Sequence, residues 1–117
     1  MNIIELTDDE IINFAEPMWV ELIRASNDGK YGKFIRNFDY SLIEGLNEIE
    51  VGKQFANSEL SRNLSEVYDF LGIIRRGQHV TVLYRVRSNK KDGEWLGRLV
   101  LGYNDKGEVK IFGASVF

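Results

Sequence analysis

The 117-residue chain reads as one α+β domain: N-terminal helices packed on a curved, antiparallel four-stranded meander. Two observations predict this. Apolar residues recur at helical spacing through the first half, and after Glu66 they gather in four β-branched and aromatic runs joined by turn-forming residues. Helices first and strands afterwards is an α+β order. A lone proline, no internal repeat and no low-complexity linker leave residues 1–117 as a single domain.

Thr7-Asp8-Asp9-Glu10 has the form of a capping box, with two further acids at the positive end of the first helix. Ile11, Ile12, Ala15, Met18, Trp19, Leu22 and Ile23 make one buried stripe. Pro17 lies within it and predicts a kink near Asn13. Asn27-Asp28-Gly29 ends the helix. Tyr31, Phe34, Ile35 and Phe38 give a short second helix, and Asp39 caps the next helical segment. Leu42, Ile43, Leu46, Ile49, Val51 and Phe55 suggest further helical turns interrupted by Gly45 and Gly52, and residues 57–66 form a polar connection.

The strands are predicted at Val67–Arg75, Gln78–Ser88, Glu94–Tyr103 and Glu108–Phe117. Arg76-Gly77, Asn89 to Gly93 and Asn104 to Gly107 supply the turns, so neighbours run antiparallel. Setting the register from these turns pairs Val86 with Leu96, Tyr84 with Arg98, Val82 with Val100, and Val100 with Ile111. One face then carries Tyr68, Phe70, Val80, Val82, Tyr84, Val86, Leu96, Arg98, Val100 and Ile111. The other carries Leu71, Leu83, Trp95, Leu99, Leu101, Phe112, Ala114 and Val116. A slip of one residue exchanges the faces. Both faces are apolar and the helices cover only one, so the second is expected to meet another copy of the chain. Leu83, Trp95, Leu99, Leu101, Phe112, Ala114 and Val116 are the expected interface of a homodimer.

The run N-D-G-K-Y-G-K-F-I-R-N-F-D (Asn27–Asp39), then V-T-V-L-Y-R-V (Val80–Val86) and L-V-L-G-Y-N-D-K-G-E-V-K-I-F (Leu99–Phe112), resemble the nuclear transport factor 2-like (cystatin-like) superfamily over nearly the whole chain. The likeness is greatest to small bacterial members whose function is not established. It implies a cone with an internal pocket at its wide end and frequent dimerisation through the sheet. It does not imply one function, because the superfamily holds isomerases, dehydratases, hydrolases, transport factors, immunity proteins and non-catalytic modules.

Trp19, Phe34, Tyr68, Tyr84 and Arg98 are the expected lining of that pocket, which would take a small apolar or anionic ligand. Arg98 among apolar neighbours needs a partner, either a helix carboxylate such as Glu16 or Glu21 or an anionic ligand. The steroid-isomerase-like set of carboxylate, tyrosine and second acid has no counterpart here. No strand carboxylate shares the Tyr68–Tyr84 face, and Asp69 is placed beside Arg85 on the other. No catalytic residue is therefore assigned. His79 reads as a turn histidine, no phosphate-loop motif occurs, and without cysteine there is no thiolate site. No metal or cofactor is expected.

Residues 1–69 carry 6 Lys/Arg against 14 Asp/Glu, and residues 70–117 carry 9 against 4. Such a split fits an acidic helical layer beside a basic sheet, or an acidic face for a basic protein partner. Arg75, Arg76, Arg85, Arg87, Lys90 and Lys91 cluster at the hairpins, but without an aromatic ladder for bases they argue weakly for nucleic acid. No signal peptide or apolar span is present, so a cytoplasmic protein away from membranes is expected. A dimeric, non-catalytic module for a small ligand or a protein is the leading reading. A small pocket enzyme using Tyr84 and Arg98, or a toxin-neutralising immunity protein using the acidic helices, are the alternatives.

Overall fold

The computed structural model describes residues 2–43, 60 and 62–117. A 3₁₀ turn at Ile3–Glu5 leads into helix α1 (Asp8–Asp28), two one-turn helices α2 (Tyr31–Phe34) and α3 (Tyr40–Ile43), and strands β1 (Asp69–Arg76), β2 (His79–Val86), β3 (Trp95–Tyr103) and β4 (Val109–Val116). The strands form one open antiparallel sheet in sequence order. The expected α+β order is therefore present, with strand bounds within two residues of those predicted. The helical turns predicted at Leu46 to Phe55 lie outside the described residues.

Local chemistry sets the ends of α1. The Thr7 hydroxyl accepts from the Glu10 amide at 3.2 Å while the Glu10 carboxylate accepts from the Thr7 amide at 3.0 Å, satisfying two otherwise open donors. Pro17 sits inside the continuous helix, and Gly29 closes it in the left-handed region at φ 67°. Just before that end, the Asn27 side chain mimics a strand. Its amide donates to the Leu64 carbonyl at 2.8 Å and its oxygen accepts from the Leu64 N–H at 2.9 Å. The N-terminal turn is clasped by Arg75, whose guanidinium donates to the Ile4 and Leu6 carbonyls and pairs with Asp8 at 2.6 Å.

The stripe on α1 packs Ile11, Ala15, Trp19, Leu22 and Ile23 against the inner face of the sheet, where Val80, Val82, Val86, Leu99, Leu101 and Ile111 are fully buried. Each such side chain contributes about 1.5–3 kcal/mol when withdrawn from water. The outer edge of β4 is closed by an extended stretch after α2: Ile111 exchanges 2.7 Å hydrogen bonds with the Asn37 carbonyl and the Asp39 amide. Asp39 then caps α3 by accepting from the Ser41 amide and hydroxyl.

The register differs from the sequence-based one by one residue across β2–β3. Val86 pairs with Trp95, Tyr84 with Gly97, Val82 with Leu99 and Val80 with Leu101. Directly opposed residues share a face, so every β3 assignment is exchanged. Trp95, Leu99 and Leu101 lie on the inner face, and Leu96, Arg98 and Val100 on the outer one. A bulge at Phe112 shifts the β3–β4 pairing between Ile111 and Gly113 and flips the rest of β4. Ala114 and Val116 thereby oppose Leu99 and Gly97 on the inner side. Of the residues expected at the interface, Leu83 and Phe112 remain outside, while Trp95, Leu99, Leu101, Ala114 and Val116 do not.

Gly97 explains why this register wins. A Cβ there would lie 2.7 Å from Trp19 Cζ2 and 2.8 Å from Val86 Cγ2, so the indole rests directly on the β3 backbone. Only a glycine at the position facing Tyr84 admits it. Gly97→Ala is expected to lower stability by about 1–3 kcal/mol, as overpacking does. Denaturant melts of the two proteins check this.

Candidate functional site

Under the middle of α1 the indole of Trp19 stacks on the ring of Tyr84, centroids 4.9 Å apart. Tyr68, just before β1, meets Tyr84 edge-on at 5.1 Å, and Phe70 comes next at 6.4 Å. Helical spacing delivers Trp19 to this point, and the inward half of the strand alternation delivers Tyr84 and Phe70. Trp19 and Tyr84 are only 2% and 1% exposed, yet the indole N–H and the Tyr84 hydroxyl have no hydrogen-bond partner among the described residues. A buried polar group left in that state costs about 1–3 kcal/mol.

Burial pushes the Tyr84 phenol far above its ordinary range, with Tyr68 and the Glu16 carboxylate adding to the effect. The Tyr68 phenol is raised too, by burial first and Glu16 second. Both stay neutral at physiological pH. Glu16 and Tyr68 also line an open cleft of about 730 Å³ along α1, shared with Pro17, Glu21, Arg24 and Lys33. Tyr68 thus joins the aromatic cluster to a cleft with charged walls.

Three of the five residues expected in the pocket come together: Trp19, Tyr68 and Tyr84. Phe34 meets Phe38 at 5.2 Å, nearer the β4 edge. Arg98 is the correction. It is exposed on the outer face, its guanidinium 5.4 Å from the centre of the Phe117 ring. Register is the reason, since Gly97 and not Arg98 opposes Tyr84. Glu21 turns to Arg36 and Asn37 at 3.4 and 3.3 Å. The Tyr84–Arg98 pair, expected to support proton transfer or anion binding, is not formed.

Gly97 and Phe70 belong to the cluster although neither was expected there. An isolated glycine within a strand is the available signal for the first.

The basic hairpin residues are largely committed. Arg75 holds the N-terminal turn. Arg87 pairs with Asp69 at 3.0 Å and Glu94 at 3.5 Å, and Arg85 with the same two carboxylates at 3.5 and 3.6 Å. The expected Asp69–Arg85 pair is part of this square.

The outer face of the sheet is different in kind. Ile74, Thr81, Leu83, Leu96, Val100 and Phe112 lie there, with Phe117 paired to Leu96 beyond the end of β4. Ile74, Leu96 and Phe117 are 47%, 38% and 64% exposed, and the bulged Leu71 is 48% exposed.

Among the described residues no three His, Asp or Glu side chains are grouped to hold a metal ion, and no helix is long and apolar enough to cross a membrane. The chain matches no protein-family model and no curated protein.

Raised tyrosine ionisation fixes the sign of an alkaline effect. The unfolded phenol loses its proton near pH 10 while folded Tyr84 keeps it, so Tyr84 supports the fold below about pH 10 and that support fades as pH rises. Melting temperatures between pH 8 and pH 11 should fall more steeply for the wild type than for Tyr84→Phe.

Proposed function

We propose that the chain is a non-catalytic binding module that acts as a homodimer, two copies meeting through the outer face of the sheet. The observation that carries this reading is an apolar outer surface, exposed at Ile74, Leu96 and Phe117 and half-buried at Leu83, Val100 and Phe112. Its size supports a second copy as occupant. Four strands of 8, 8, 9 and 8 residues give a face of about 500 Å², hence about 1,000 Å² between two copies, the lower end for specific association. Charge supports it as well. The Asp69–Arg85–Arg87–Glu94 square is neutral within itself, so those four charges do not repel a second copy. Sheets pack face to face in this way about 10 Å apart. Dimerisation is also what the superfamily resemblance implies.

A second reading, a small ligand on the inner side, rests on the unpartnered Trp19 N–H and Tyr84 hydroxyl. The ligand class this supports is largely apolar with a hydrogen-bond acceptor. Anionic character loses its basis once Arg98 belongs to the other face.

Native mass spectrometry of the purified chain addresses both. A dimer mass is expected at micromolar concentration, with Ile74→Lys, at an exposed position that leaves the core intact, reduced to the monomer. Additional mass retained by the wild type and lost in Tyr84→Phe would mark the inner ligand. A wild-type monomer throughout would end the dimer reading, and identical bare masses for both proteins would end the ligand one.

A further inference from the structure

His79 is the single histidine of the chain, and it opens β2 opposite Arg76 of β1. Its half-buried ring stands edge-on to Phe112 at 4.7 Å. It also lies across β3 at Gly102, where a Cβ would come within 2.8 Å of the imidazole Cδ2. Arg76, Thr81, Val100 and Phe112 complete a hollow of about 360 Å³ around it. The imidazole is therefore set into the same apolar face that the dimer reading covers.

Its charged surroundings are uneven. Arg76 is the charged side chain lining the hollow, and β3 and β4 contribute Val100, Gly102 and Phe112 there. On the far side His79 borders a cleft of about 720 Å³, with Asp39, Asp105, Lys106, Lys110 and the Tyr103 phenol on its walls. The carboxylates and ammonium groups of that cleft balance. Among the described residues Arg76 is left as the uncompensated neighbour.

Resting on the dimer reading above, we propose that proton uptake by His79 weakens the sheet-face dimer and makes assembly pH-dependent. Imidazole changes charge between pH 8 and pH 5, where no other unperturbed side chain does. In the open monomer, water solvates an imidazolium beside Arg76. Once a second copy excludes that water, the imidazolium meets both desolvation and a like charge. Protons therefore bind the monomer better than the dimer, and acid shifts the equilibrium towards monomer. Two-fold symmetry places one His79 in each half of the interface, so the effect enters twice.

Sedimentation equilibrium of the full chain at pH 7.5 and pH 6.0, at constant ionic strength, tests this. With one proton per protomer taken up only by the monomer, the dissociation constant should be several-fold higher at pH 6.0 than at pH 7.5. In His79→Asn it should stay within about twofold, or in His79→Gln where the first variant melts early. A second readout needs no variant: the lone imidazole Hε1 resonance should report proton uptake at lower pH in concentrated than in dilute protein. Equal dissociation constants at the two pH values in the wild type would overturn the proposal, as would the same weakening in the histidine variants. A monomer already at pH 7.5 would overturn it together with the dimer reading, whereas a dimer stable at both pH values would overturn the switch alone.

Discussion

The fold turns on the contact between Trp19 and the bare backbone of Gly97. An indole laid on a strand needs a position without a Cβ, and the neighbouring strand must offer a surface for its ring face. Gly97 gives the first and Tyr84, its cross-strand partner, gives the second. Once that contact is made, α1 has one height on the sheet and β2 and β3 have one register. Leu99 and Leu101 then fall under the helix, and Arg98 and Val100 on the other side. Moving β3 by a single residue would drive Arg98 into the core and Leu99 into water, a change of many kcal/mol at the values of buried charge and buried leucine.

Among the described residues one helical layer serves a two-faced sheet. α1 and the short helices occupy the inner face, and the 37–39 stretch closes the β4 edge. The outer face keeps its leucine, isoleucine, valine and phenylalanine side chains in or near water. A single domain of this size seldom leaves such a surface without a use. The inner face carries a different element, two buried polar atoms without partners among the described residues. One face is thus an open apolar surface and the other a buried aromatic cluster, with the backbone of the sheet between them.

Elements were legible in the sequence where a local cause defined them. Thr7 to Glu10 announced the cap of α1, the Trp19 stripe its buried side, and the glycine and asparagine turns the meander. Facing was less legible because strand parity is a long-range quantity. Turn residues locate a hairpin to within one position, and one position is enough to exchange faces. The bulge at Phe112 leaves no mark in an alternating run, so Val116 and Phe117 could not be assigned by counting outward from Val109. Arg98 was misplaced by the register slip between β2 and β3, and the anionic ligand inferred from it went with it. Trp19, Tyr68 and Tyr84 do come together, because their placement depends on α1, β1 and β2 and not on the parity of β3.

Because the chain contains no cysteine, single cysteines report the facing of β3 without interference. The decisive measurement is the rate of thiol labelling, in dilute protein, at Leu96→Cys, Arg98→Cys, Val100→Cys, Leu99→Cys and Leu101→Cys. The Trp19–Gly97 register predicts rapid labelling at the first two, an intermediate rate at position 100, and strong protection at positions 99 and 101. Protection at 98 and 100 with rapid labelling at 99 and 101 would contradict it, and with it the outer face on which the functional reading stands.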